Sequence, residues 1–61
     1  MITKTYYIQN TNELDKALET IRDSFPCFIH RELIEMNYSQ IEINARNEDL
    51  IGIKNILAPL I

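Results

Sequence analysis

Apolar and polar positions alternate from Tyr38 to Arg46. Ile41, Ile43 and Ala45 fall on one side and Gln40, Glu42, Asn44 and Arg46 on the other, the pattern of a strand covered on one face. Asn47-Glu48-Asp49 follows, and then Leu50, Ile53, Ile56, Leu57 and Leu60 recur at helical spacing. Asn47 is the expected cap of this helix, Glu48 and Asp49 complement its dipole, and Pro59 ends it near Leu57 or Ala58. A second alternation covers residues 2–9, with Ile2, Tyr6 and Ile8 on one face and Thr3, Thr5, Tyr7 and Gln9 on the other. Lys4 interrupts its apolar face near an edge. Between these strands, Leu14, Ala17, Leu18, Ile21 and Phe25 form a helical stripe, with Asp15, Lys16, Glu19, Arg22 and Asp23 facing away. Asn10 is the predicted N-cap of that helix, with Glu13 closing a capping box.

Pro26 disfavours helical geometry at Phe25 and ends the first helix. The segment from Cys27 to Met36 fits two patterns. As a helix it aligns Ile29, Leu33 and Met36. As a strand it turns Cys27, Ile29, Arg31 and Leu33 inward and Phe28, His30, Glu32 and Ile34 outward. The strand is preferred, because the third strand needs a neighbour and Glu35-Met36-Asn37-Tyr38 can close a hairpin. The resulting order is strand, helix, strand, strand, helix: an α+β domain with a three-stranded antiparallel or mixed sheet and two helices on one face. This βαββα arrangement is a ferredoxin-like split unit lacking its last strand. A right-handed crossover sets the first strand parallel to the third or its neighbour. The opposite sheet face is then uncovered.

The 61 residues, without repeat, linker or low-complexity segment, make a single domain, 1–61. Chains this small have little core to offset the entropy of ordering, and those without disulfides or metals commonly gain stability by oligomerising. The single cysteine, Cys27, cannot form an internal disulfide, which raises the expectation of a homodimer. The lone thiol, the lack of an apolar signal region after Met1-Ile2-Thr3-Lys4 and the lack of a long apolar run point to a cytoplasmic protein with no membrane partner. Six basic residues against nine acidic ones give a net charge of -3, which disfavours binding to a nucleic-acid backbone.

Candidate chemistry is sparse. Cys27 and His30 are of types that bind metals or pair as nucleophile and base. Residues three apart on a strand point to opposite faces, however, and there is no further Cys or His to complete a tetrahedral site. Cys27 reads as a small buried apolar residue and His30 as a surface side chain. Glu32, Glu35 and Glu42 could converge across a hairpin, but general acid-base work requires a desolvating pocket, and they read instead as a solvated face or as partners of Arg31 and Arg46. Gly52 is the only glycine, so no glycine-rich phosphate loop exists. The expectation is no enzyme activity, no metal and no cofactor.

With Tyr6-Tyr7-Ile8 on the first strand, and with Tyr7, Phe28 and Tyr38 able to share the open face, the order of elements resembles RNA-recognition modules, which stack bases on such aromatics. The basic, glycine-rich signature of those modules is missing. The order also resembles heavy-metal-associated domains, although Asn10-Thr11-Asn12 stands where their cysteine pair would be. Its likeness to ACT regulatory domains covers only the order of elements. These are analogies of fold and confer no activity.

More informative are apolar residues that the fold does not consume. Tyr7, Phe28, Ile34, Met36 and Tyr38 gather on the open face beside His30 and Glu32. Ile51 projects off the stripe of the second helix, and Leu60 and Ile61 follow Pro59. Contiguous apolar surface marks an interface. The expected function is therefore a non-enzymatic interaction or regulatory module that self-associates through Tyr7, Phe28, His30, Ile34 and Met36, with Ile51, Leu60 and Ile61 as further contact residues. The alternatives are a small acidic inhibitor of mobile-element type, placing Asp15, Glu19 and Asp23 on a basic site of a host enzyme, and RNA binding through the sheet aromatics.

Overall fold

A computed structural model describes residues 1–61. The chain forms β1 (Ile2–Gln9), α1 (Asn12–Ser24), β2 (Cys27–Glu35), β3 (Tyr38–Ala45) and α2 (Leu50–Leu57). Short 3-10 turns at Asn47–Asp49 and Ala58–Leu60 flank α2. The ambiguous middle segment is a strand. The sheet order is β1-β3-β2, with both outer strands antiparallel to β3, so β1 and β2 run parallel to each other with β3 between them. One row of the register joins Ile8, Ser39 and Leu33, and another joins Tyr6, Ile41 and Arg31.

The alternation read in β3 is the alternation of burial: Ser39, Ile41, Ile43 and Ala45 are buried. They join Ile8, Leu14, Leu18 and Ile21, and Leu50, Ile53 and Leu57 of α2, around one core, with Tyr6, Ala17, Phe25, Cys27, Ile29, Ile56 and Leu60 packed at its margin. Both helices therefore cover the same sheet face. α1 begins beside the C-terminal end of β1 and finishes beside the N-terminal end of β2, so it crosses the sheet diagonally. That path leaves the C-terminal corner of β2 bare. Leu33, expected inside, faces the helix side but is 68% exposed.

Local details correct several expectations about element ends. The cap of α1 is Thr11, whose Oγ1 accepts from the Leu14 amide at 3.2 Å. Asn10 lies one residue too early and has other work: its amide donates to the Asn37 carbonyl and its Oδ1 accepts from Arg31 and Ser39. Asn47 makes no capping bond, and the turn it opens follows Arg46 in extended geometry. Arg46 instead holds Asp49, Nε to Oδ2 at 2.9 Å. Phe25 has left the helical region, with φ -133 and ψ 142, as Pro26 requires. Its ring lies on Gly52, where a Cβ would sit 2.6 Å from Phe25 Cζ. This close approach is the structural use of the only glycine.

The β2-β3 hairpin closes through Met36 and Asn37. No residue in the chain has positive φ, so this is not one of the primed turns whose twist suits a two-residue hairpin. A bulge beside it makes the adjustment: the register jumps from Leu33 opposite Ser39 to Glu35 opposite Tyr38, leaving Ile34 extra, and bulges increase local twist. Met36, expected on the sheet face, sits at the tip of this turn and is 90% exposed.

Candidate functional site

The register builds the uncovered face in rows. Thr3, Asn44 and Phe28 form the first; Thr5, Glu42 and His30 the second; Tyr7, Gln40 and Glu32 the third; Gln9, Tyr38 and Glu35 the last. Asn44 Nδ2 donates to Thr3 Oγ1 at 2.8 Å, tying β3 to β1 across the first row. Expected as one patch, the apolar side chains divide into two. Phe28, 72% exposed, stands at one end beside His30, Glu42 and Asn44. Tyr7, Tyr38 and the bulged Ile34 line a shallow depression with Glu35 at the other. The row of Thr5, Glu42 and His30 separates them. The bulge turns Ile34 and Glu35 to the same side, which is why both border Tyr38. Glu32, Glu35 and Glu42 take no part in an ion pair within the fold. With His30 as the only basic group in these rows, the face is acidic.

The two edges of the sheet differ. β1 carries Lys4 on the helix side with no carboxylate at ion-pairing distance, an inward-pointing charge of the kind that blocks strand addition. On β2 the corresponding charge is Arg31, and it is neutralised. Arg31 Nη1 bonds Asp15 Oδ1 of α1 at 2.6 Å, Nη2 donates to Asn10 Oδ1 at 2.9 Å, and Nε donates to Ser39 Oγ at 3.3 Å. Ser39 is buried, and its hydroxyl donates in turn to Asn10 Oδ1. One side chain thus ties together β2, β3, the β1-α1 connection and α1. Asp15, expected to face outward as part of an acidic surface, is engaged here. Beyond this bracing the end of β2 is apolar on both sides, with Leu33 towards the helix layer, Ile34 on the open face and Met36 at the tip.

Two groups packed at the margin of the core are displaced from their ordinary ionisation. Burial pushes the Tyr6 phenol and the Cys27 thiol above their ordinary values; for Cys27 the nearby Arg22 acts the other way and Asp49 adds to the rise. A thiol held protonated is a poor nucleophile. Cys27 faces the core margin while His30 faces out, and no group of three or more His, Cys, Asp or Glu side chains is placed to hold a metal ion.

Of the other contact residues read from the sequence, Ile51 is 71% exposed on α2, Ile61 is exposed, and Leu60 packs against the core. The pattern brings Tyr7, Ile34 and Tyr38 together and does not bring Phe28, Met36, Ile51 or Ile61 to them. Sequence reasoning missed Leu33 as surface and Arg31 as the centre of a polar brace. A signal for the second was present: an arginine on an otherwise apolar strand face requires partners, and Asp15 lies on the helix that leads into the same strand. No helix is long and apolar enough to cross a membrane. Comparison with protein families, with characterised proteins and with solved structures finds no match.

Proposed function

We propose that this domain is a non-enzymatic interaction module that self-associates through the uncovered side of its sheet and the adjoining β2 edge. Its ferredoxin-like split-unit topology serves to present a sheet with one helix-free face. The observation that carries the reading is the exposed apolar group at the end of β2, Leu33, Ile34 and Met36, with Tyr38 and Tyr7 beside Ile34 across the sheet and Phe28 apart at the other end of the strand, all largely left over by the fold. Exposed apolar surface on an edge strand is an interface pattern, here in two groups with the polar His30 and Glu32 between them. A reducing compartment such as the cytoplasm suits the free thiol of Cys27. The carboxylates of Glu32, Glu35 and Glu42 on the same face repel a phosphate backbone, which sets RNA binding through Tyr7, Phe28 and Tyr38 behind this reading. The acidic-inhibitor alternative is left with Glu19 and Asp23, since Asp15 is paired.

Light scattering coupled to size exclusion, over a wide concentration range, tests the proposal. The wild-type chain is expected to run as a dimer. Phe28→Glu should shift it towards monomer with an unchanged circular dichroism spectrum, because Phe28 contributes little to the folded protomer. A monomer at every concentration for the wild type overturns the proposal, and an unaltered dimer for Phe28→Glu removes that end of the surface from it.

A further inference from the structure

The interface can be specified to the residue. We propose that two copies of this chain join β2 to β2, antiparallel about a two-fold axis at Arg31, so that two three-stranded sheets become one continuous sheet. This rests on the self-association proposed above and names its partner surface and register.

β2 is an edge strand with β3 on one side only, and its free edge can accept another strand. A two-fold pairing of a strand with itself makes the numbers of facing residues add to a constant. Facing residues must also share a sheet face, so the axis passes through a residue rather than between two. In the regular part of β2, from Cys27 to Leu33, an axis at Phe28 pairs only three residues before Pro26, which has no N–H to give, and an axis at Ile29 sets Cys27 against Arg31; three centres remain. An axis at His30 sets imidazole against imidazole, Ile29 against Arg31 and Phe28 against Glu32. An axis at Glu32 opposes two carboxylates and sets Leu33 against Arg31. An axis at Arg31 sets His30 against Glu32 of the second copy and Ile29 against Leu33 of the second copy, each pair occurring twice by symmetry. Phe28 then faces Ile34 of the second copy, where the bulge begins.

Away from the axis itself, this third register alone sets apolar against apolar and the imidazole against a carboxylate over five residues, Ile29 to Leu33. Its one like-charged pair, Arg31 with itself, is tolerable because each guanidinium already holds Asp15 at 2.6 Å. It also covers Leu33, the side chain that the diagonal course of α1 leaves bare. β1 offers no equivalent: about an axis at Thr5, its unneutralised Lys4 would face Tyr6. The bulge at Ile34 limits regular pairing to a short stretch, so the association is centred on Ile29 to Leu33.

Charge exchange tests the register. The probes are Glu32→Lys, His30→Glu, the double variant and Leu33→Glu, each followed by light scattering under reducing conditions, with circular dichroism as the check on folding. His30→Glu sets carboxylate against carboxylate twice, Glu32→Lys replaces the carboxylate facing each imidazole with an ammonium, and each is expected to weaken the dimer by about tenfold or more. In the double variant the new carboxylate faces the new ammonium, and dimerisation should recover. Leu33→Glu, in a side chain exposed in the protomer, should dissociate the dimer without affecting folding. Failure of the double variant to recover, or indifference of a wild-type dimer to all four variants, overturns this register while leaving self-association in place. A wild-type chain that is monomeric at every concentration overturns both.

Discussion

Replacing Arg31 with methionine removes the guanidinium from the polar brace while keeping most of the aliphatic stem, and the structure sets the size of the effect. The ion pair with Asp15 is short, but its side chains are 34% and 60% exposed, so solvent screening reduces it to about 0.2–1 kcal/mol. The bonds to Asn10 and Ser39 add about 0.5–1.5 kcal/mol each at most, the longer Ser39 contact less. The decisive point is what remains behind. The buried Ser39 hydroxyl still donates to Asn10 Oδ1, so no buried polar atom is orphaned and the larger desolvation penalty is avoided. The expected loss is about 1–2 kcal/mol, which in a domain of this size lowers the melting temperature by about 5–15 °C.

Urea unfolding followed by circular dichroism, at concentrations where the chain is monomeric, measures the loss as a shift in midpoint at constant slope. A double-mutant cycle with Asp15→Asn isolates the pair, with an expected coupling of about 0.2–1 kcal/mol that shrinks in high salt. A loss below about 0.3 kcal/mol would show that the brace does not stabilise the fold. A loss above about 3 kcal/mol would show that Arg31 satisfies a buried group, contrary to the hydrogen-bond pattern.

Gly52→Ala gains helix propensity of about 1 kcal/mol, but its Cβ would sit 2.6 Å from the tip of the Phe25 ring; the substitution should destabilise the wild-type chain and stabilise a Phe25→Ala background, and stabilisation in both would refute the contact. The raised Cys27 thiol contributes stability that is fully present below its unfolded value of about 8.5 and is lost as pH rises through its higher folded value. Unfolding free energy should therefore fall as pH rises above about 8.5, Cys27→Ala should remove that dependence until Tyr6 begins to ionise, and Ellman's reagent should react with the folded thiol more slowly than with free cysteine.

The elements of this fold are legible in the sequence wherever a side chain's period alone decides its environment. The alternation of β3 and the stripe of α1 correspond to buried positions because those elements cross the middle of the core. Legibility fails where the environment depends on how far a neighbouring element extends. Leu33 sits at an inward position of β2, yet nothing lies above it, because period gives direction and not coverage. The cap of α1 moved from Asn10 to Thr11 for a related reason. Both residues can cap, and Asn10 is claimed by Arg31 and Ser39 from distant parts of the chain, a competition that local reading cannot weigh. Asp15 likewise falls on the polar side of its helix, and its partner lies sixteen residues away, across the crossover, beyond a local pattern. The exposed apolar surface is legible as composition and illegible as shape, since only the register and the bulge show that Ile34 joins Tyr7 and Tyr38 while Phe28 stands apart.

The bare corner of the sheet follows from where the first helix must start and stop. A helix of 13 residues is about 20 Å long and a strand of nine about 30 Å, so α1, fixed between the Thr11 cap and Pro26, cannot cover β2 from end to end. Its diagonal course exposes one corner at each end of that diagonal's opposite: Ile2 and Lys4 on β1, Leu33 and its neighbours on β2. At the first corner the chain places a charge. At the second it places leucine, isoleucine and methionine, where polar side chains would cost the protomer almost nothing. Folding of the protomer does not account for that difference, because Leu33 and Met36 are too exposed to contribute much to its core. The proposed β2-to-β2 contact would account for their apolar character, and the neutralised Arg31 beside them leaves the backbone edge free for it.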